Sequence, residues 1–156
     1  MSDRARFIKA FEYNPETGLF ISTTTGRKVG TPVKRWYLSI KFEGHSYRAH
    51  RVAWLITYGK WPDGLLDHIN GITSDNSIKN LREATISQNA FNAKKGLANR
   101  SGEKGVAWNS KKNRWEARVF ANGKIRFRRF FNDFNEACKR VRSARAVIHG
   151  EFANNG

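Results

Sequence analysis

Cysteine is almost absent: Cys138 is the only one in 156 residues. One thiol makes no disulfide within the chain and builds no cysteine-based zinc site, so a disulfide scaffold and a zinc finger are excluded and no structural zinc is expected. This usage fits a reducing cytoplasm. Acidic residues are scarce, 13 Asp and Glu against 29 Lys and Arg, which leaves a formal charge of +16 and a pI near 10.6. Long apolar runs are missing: nothing approaches the ~18 residues of a membrane span. The opening MSDRARFIKAFEY has no apolar core, so neither a signal peptide nor a membrane segment is expected. There is no internal repeat and no long low-complexity tract.

Aromatics are plentiful, with 11 Phe, 5 Trp and 4 Tyr, and hydrophobic residues make up 39%. That is enough for one ordinary core or two modest ones. High basic charge with abundant aromatics points to a polyanion, in practice nucleic acid. The charge is uneven. Residues 1–89 carry 13 Lys and Arg against 8 Asp and Glu, whereas residues 90–156 carry 16 against 5. The C-terminal part therefore reads as the main grip.

Asn14-Pro15-Glu16-Thr17-Gly18 is a turn signal between two short apolar runs and predicts an early hairpin. Trp36, Leu38, Ile40 and Phe42 alternate with polar neighbours as a half-buried strand, turned by Glu43-Gly44 into a partner strand from His45. A helix over 50–58 ends at Gly59. Leu65–Ile69 reads as a short strand, Asn70-Gly71 as its turn, and Asn80–Arg82 as a second short strand. Thr85-Ile86-Ser87-Gln88 resembles a capping box, predicting a helix to about Lys95. Residues 94–101 are small, polar and basic, a linker. Beyond it, strands from Gly105, from Trp115 and from Ile125 are separated by a polar turn and by Asn122-Gly123. A final helix capped by Asn132 or Asn135 runs to His149. The fold class predicted is α+β: N-terminal hairpins and a strand-loop-strand-helix unit over 1–93, then a three-stranded antiparallel sheet on one helix over 102–156.

The segment LLDHINGITSDNSIKNLR (65–82) gathers Asp67, His68, Asn76 and Asn80. Phosphodiester hydrolysis needs a base near neutral pKa, which His68 could be, and a hard cation against the phosphate charge. Mg²⁺ is anchored by one carboxylate and one amide while keeping several waters, so Asp67 with Asn89 or Asn92 is a sufficient donor set. In a regular strand Asp67 and His68 point to opposite faces, and they serve one site only if the strand ends or bulges there.

AHRVAW (49–54), WPDGLLDHINGITSDNSIKNLR (61–82) and ATISQNAFN (84–92) together resemble the HNH endonucleases, more narrowly the phage-type HNH homing endonucleases, over residues 36–92. The resemblance implies a ββα-metal site. It makes His68 the general base, Asp67 and Asn89 the ligands of one divalent cation (Mg²⁺, with Mn²⁺ as the alternative), and Asn80 the residue that steadies loop and base. It thus chooses Asn89 over Asn92.

GVAWNSKKNRWEARVFANGKIRFRRF (105–130) with HGEFA (149–153) resembles the AP2/ERF DNA-binding domain. This implies a sheet laid in the major groove with the helix behind. The first strand lacks the arginines of plant regulators, so base readout by that strand is not implied. Arg114, Arg118, Lys124, Arg126 and Arg128, with Lys111 and Lys112 in the turn and Arg51 in the N-terminal part, are the expected DNA contacts, most of them to phosphate. The reading is a monomeric, cytoplasmic, metal-dependent DNA endonuclease that nicks duplex DNA to leave 5′-phosphate and 3′-hydroxyl, a double-strand cut needing a dimer or two successive events. The rivals are a non-catalytic DNA-binding regulator and an RNA-binding protein.

Overall fold

The computed structural model describes residues 1–96 and 98–156, and the main chain alone of Arg35. The chain forms two compact units, Met1–Thr85 and Ile86–Gly156. Leu97, inside the expected linker, lies outside the described residues. No helix among the described residues is long and apolar enough to cross a membrane.

The first unit opens with α1 (Asp3–Ala10), a helix the sequence reading missed. Ser2 caps it by accepting from the Ala5 amide, and Asp3 sits favourably in its first turn. The hairpin β1 (Phe11–Asn14) and β2 (Leu19–Ser22) follows, extended by β3 (Lys28–Val29). The Asn14 side chain builds its turn, accepting from the amides of Glu16 and Thr17 at 2.9 and 3.1 Å. A second sheet holds β4 (Thr31–Pro32), β5 (Leu38–Phe42) and β6 (His45–Arg48). It leads into α2 (Ala49–Tyr58), which Gly59 ends in the left-handed conformation. The core is aromatic: the Phe7 ring meets Phe42, Tyr47 and Trp61 at centroid distances of 4.7, 5.0 and 5.8 Å. Phe20, Ile40, Val52 and Leu55 complete it.

The alternation predicted from Trp36 fails at its first member. Lys34–Trp36 is a 3-10 turn, the strand starts at Leu38, and Trp36 is 76% exposed. Period two is a local pattern, and the turn broke it before the strand began.

The short pair β7 (Leu65–His68) and β8 (Leu81–Ala84) is antiparallel, with Asp67 opposite Arg82 and His68 opposite Leu81.

In the second unit α3 (Ile86–Asn92) ends before the predicted Lys95. Three strands follow, β9 (Val106–Asn109), β10 (Arg114–Ala121) and β11 (Lys124–Phe131), antiparallel with β10 central. One face packs on α4 (Phe134–His149) through Val106, Ala117, Val119, Ala137 and Val141. Trp115 lies on this core, 4.7 Å from Phe134. The cap of α4 is Asp133, not Asn132 or Asn135; its carboxylate accepts from the Glu136 amide at 2.7 Å. Residues 99–103 fold against this unit, with Glu103 4% exposed and held by Arg142.

Candidate functional site

His68 is the last residue of β7 and is 3% exposed. The strand stops there because Asn70-Gly71 turns: the Gly71 amide donates to the His68 carbonyl at 2.8 Å, and Gly71 takes φ +67°. The strand end required by the sequence argument is thus present. Asp67, 4% exposed, accepts from Arg82 Nε at 2.9 Å. His68 faces Asn76, His50 and Tyr37.

Asn76 Oδ1 lies 3.3 Å from His68 Nε2. With the amide oxygen toward the ring, Nε2 carries the proton and Nδ1 the lone pair. Asn76 is fully buried, its carbonyl accepts from the Tyr13 hydroxyl at 2.8 Å, and among the described residues its Nδ2 finds no partner. The N-terminal hairpin therefore holds the residue that holds the imidazole. Asp75-Asn76 reads from sequence as a turn device, and Asp75 is one: it accepts from the Ser77 hydroxyl at 2.7 Å and the Ser77 amide at 3.1 Å. Burial alone would raise the Asp75 pKa; the bonds from Ser77 and Asn70 outweigh it and hold the carboxyl below its ordinary value. Asn76, its neighbour, does something else, and no local signal separates the two.

Asn80 fixes the same loop. Its side chain accepts from the Asn70 amide at 2.9 Å and donates to the Asp75 carbonyl at 2.8 Å, and its carbonyl receives the Ile69 amide. These bonds tie the backbone of the turn that follows His68 to β8 and to the 75–77 segment.

His50, from the AHRVAW motif, is 8% exposed and its ring meets His68 edge-on at 5.2 Å. Tyr37 touches both rings, at 5.4 and 5.7 Å. Burial, then the nearby His68, Arg51 and Arg48, push His50 down to about 3. Burial also lowers His68, against the opposing Asn76 hydrogen bond and the charges of Asp67 and Asp75. Both imidazoles are therefore neutral at pH 7, the form a base needs. The linkage to stability has a definite sign. Below pH 6.5 the unfolded chain binds a proton that folded His50 refuses, so stability present above that pH is lost as acid approaches the folded value. The slope from His50 alone is about 1.4 kcal/mol per pH unit. Melting curves between about pH 4 and pH 7 should fall less steeply for His50→Gln than for the natural chain.

Arg51, an expected DNA contact, donates to the carbonyls of Gly64 and Pro62 at 3.0 and 3.2 Å, fastening the entry to β7. Asn89 sits half-buried on α3, in the second unit. Among the described residues no three His, Cys, Asp or Glu side chains cluster as a metal cage. Asp67 and Asn89, the two ligands that the family resemblance implies, carry one hard oxygen donor type each, a carboxylate in the first unit and an amide in the second.

Arg114 and Arg118 alternate along β10 with Trp115, Ala117 and Val119, which pack on α4, and so lie on the opposite face of the sheet. Arg118 and Arg128 are directly opposite each other on β10 and β11. Arg126 has no opposite residue, because the register shifts after Val119. Arg114, Lys124, Lys111 and Lys112 are exposed at the ends of the strands and in the β9–β10 turn. Like charges directly opposite destabilise a sheet, so this arrangement suits a polyanion.

A model of the HNH endonuclease family matches residues 47–91. Protein 3.8 of Escherichia phage T7 is 34% identical over 107 residues, 68% of this chain and 88% of that protein. A solved structure, described as DNA binding and cleavage by the HNH homing endonuclease I-HmuI, aligns with a TM-score of 0.42 and 18% identity over 84% of this chain and 76% of that one, too loosely to place residues. The family match spans α2, the β7–β8 pair with its loop, and most of α3, so the buried His68 sits at the heart of a recognised unit: the chain belongs to the HNH endonuclease family.

Proposed function

We propose that this protein is a metal-dependent endonuclease that nicks duplex DNA, acting as a monomer in the cytoplasm of a phage-infected host. The observation that carries the reading is His68: a neutral imidazole at a strand end, protonated at Nε2 against Asn76, with Asp67 beside it in sequence. His68 Nδ1 takes the proton from a water whose oxygen attacks phosphorus in line. The bond from phosphorus to the 3′ oxygen breaks, and that oxygen takes a proton from solvent to become the 3′-hydroxyl, leaving the phosphate on the 5′ oxygen of the next nucleotide. Asp67 and Asn89 would hold one Mg²⁺ or Mn²⁺, which when bound offsets the charge developing on phosphate and leaving oxygen. Asn80 and Asn76 keep the imidazole in place.

The second unit serves as the grip, in the manner of an AP2/ERF-like domain. A three-stranded sheet backed by one helix, with arginines on its open face, supports that reading. Arg114, Arg118, Lys124, Arg126, Lys111 and Lys112 hold backbone phosphates, and Arg51 adds positive charge near the cutting unit.

Supercoiled plasmid incubated with Mg²⁺, Mn²⁺ or EDTA tests this. Nicking with either metal and none with EDTA is expected. Asn89→Ala should need at least about tenfold more metal for half-maximal rate. Tight duplex binding without any cleavage would favour the non-catalytic regulator instead.

A further inference from the structure

An acid stands in the middle of the arginine face. Glu116 projects from β10 on the side away from α4 and is only 6% exposed. On a surface that meets phosphate a carboxylate is a repulsive element, so its presence needs a reason. Its oxygens are divided. Oε2 accepts from Asn109 Nδ2 at 3.1 Å, and Oε1 accepts from Arg128 Nε at 2.6 Å. The Arg128 guanidinium also lies 5.5 Å from the Phe130 ring centroid, and Lys112 Nζ lies 4.0 Å from the same ring. Arg128 itself is half exposed. Its Nε edge is therefore anchored, its guanidinium carbon lies over an aromatic ring, and among the described residues its two terminal nitrogens take no hydrogen-bond acceptor.

We infer that Arg128 reads a guanine edge in the major groove and that Glu116 is the residue that positions it. This rests on the DNA-binding reading of the second unit. The choice of guanine over phosphate comes from charge and shape. Glu116 and Arg128 together are a neutral pair, so they offer a phosphate little Coulombic attraction and release few counterions. The anchored guanidinium still presents parallel N–H donors, the pattern that O6 and N7 of guanine accept bidentately. Holding the fork in advance also removes the rotamer entropy that a free arginine loses on docking. Arg118, directly across the sheet, is different: it has no carboxylate hydrogen-bonded to it among the described residues, and it is suited to phosphate.

The experiment uses the full chain with Ca²⁺ or EDTA, so that binding is read without cleavage. A preferred site is selected from random duplex DNA. Affinities for that site, for variants with each guanine replaced, and for unrelated duplex are then measured across salt concentrations. Arg128→Lys keeps the charge but loses the fork. It should cut preference for one guanine by about 5- to 100-fold and leave unrelated duplex binding and the salt slope unchanged. Glu116→Leu should lower the same preference while unrelated duplex binding holds or tightens, because an acid has left the face. Glu116→Gln, whose amide oxygen still accepts from Nε, should keep most of the preference. Preference retained in Arg128→Lys, with Arg128→Ala flattening the salt slope by about one for all sequences, would make Arg128 a phosphate contact and overturn the assignment. Duplex affinity unmoved by Arg118→Ala and by Arg128→Ala alike would overturn the DNA reading of this face and the assignment with it. If Glu116→Leu melts the unit, the half-exposed Arg128→Lys and the conservative Glu116→Gln still decide between these outcomes.

Discussion

His68→Ala should slow plasmid nicking by about 10²- to 10⁴-fold, the usual worth of a positioned general base. Duplex affinity should stay unchanged, because the basic sheet lies in the other unit. The size of the effect follows from how His68 is prepared. Its ring is buried and neutral, its Nε2 proton is directed at Asn76 Oδ1, and the turn at Gly71 stops the strand just beyond it. Alanine removes the proton acceptor and leaves water to do the same work with a far poorer base. Single-turnover nicking rates at saturating metal, paired with fluorescence anisotropy on the same duplex, check both halves. A loss of less than about threefold in rate would remove His68 as the base, since general-base contributions are not that small.

Gly18→Ala should destabilise the first unit by about 3 kcal/mol or more, although Gly18 lies in a hairpin turn far from His68 in sequence. Two costs combine. Gly18 has φ +71°, which an alanine adopts only with strain, and a Cβ there would lie 2.4 Å from both Asn76 C and Ser77 N. Those atoms are backbone, so no side chain can swing aside. The hairpin must lift off the 75–78 segment, which also carries the Tyr13 hydroxyl bond to the Asn76 carbonyl and the Ile78 amide bond to the Pro15 carbonyl. A fall of roughly 10 °C or more in the melting temperature of this unit is expected, and cleavage should fall with it as Asn76 loses its seat. Gly26→Ala is the internal control. Gly26 also has positive φ, +66°, but nothing lies within 4 Å of its added Cβ. It should cost only the conformational penalty, about 1 kcal/mol. Equal melting temperatures for the two variants would show that the close approach at Gly18 carries no weight.

Much of this molecule is written locally in its chain. Asn14-Pro15-Glu16-Thr17-Gly18 and Asn122-Gly123 turn where their chemistry says, and Gly59 ends α2 with a left-handed residue. The alternation through Trp115, Ala117 and Val119 marks the face of β10 that packs on α4. The charge imbalance and the lone cysteine are equally plain. These are properties of neighbours in sequence: turn residues, period and composition. The partners of the polar side chains are another matter. Asn76 and Asp75 are adjacent and chemically similar, yet one seats the imidazole and the other builds its own turn. His50 is joined to His68 by an edge contact from a different element, and Arg51 beside it fastens two carbonyls. Glu116 looks like one more polar residue of an alternating strand until Arg128 and Asn109 are seen to share it. Each of these pairings joins residues 7 to 18 positions apart in the chain. A buried polar group must find a partner or raise the energy of the fold, but which partner it finds depends on how helices, strands and loops pack within each unit, which no local pattern encodes.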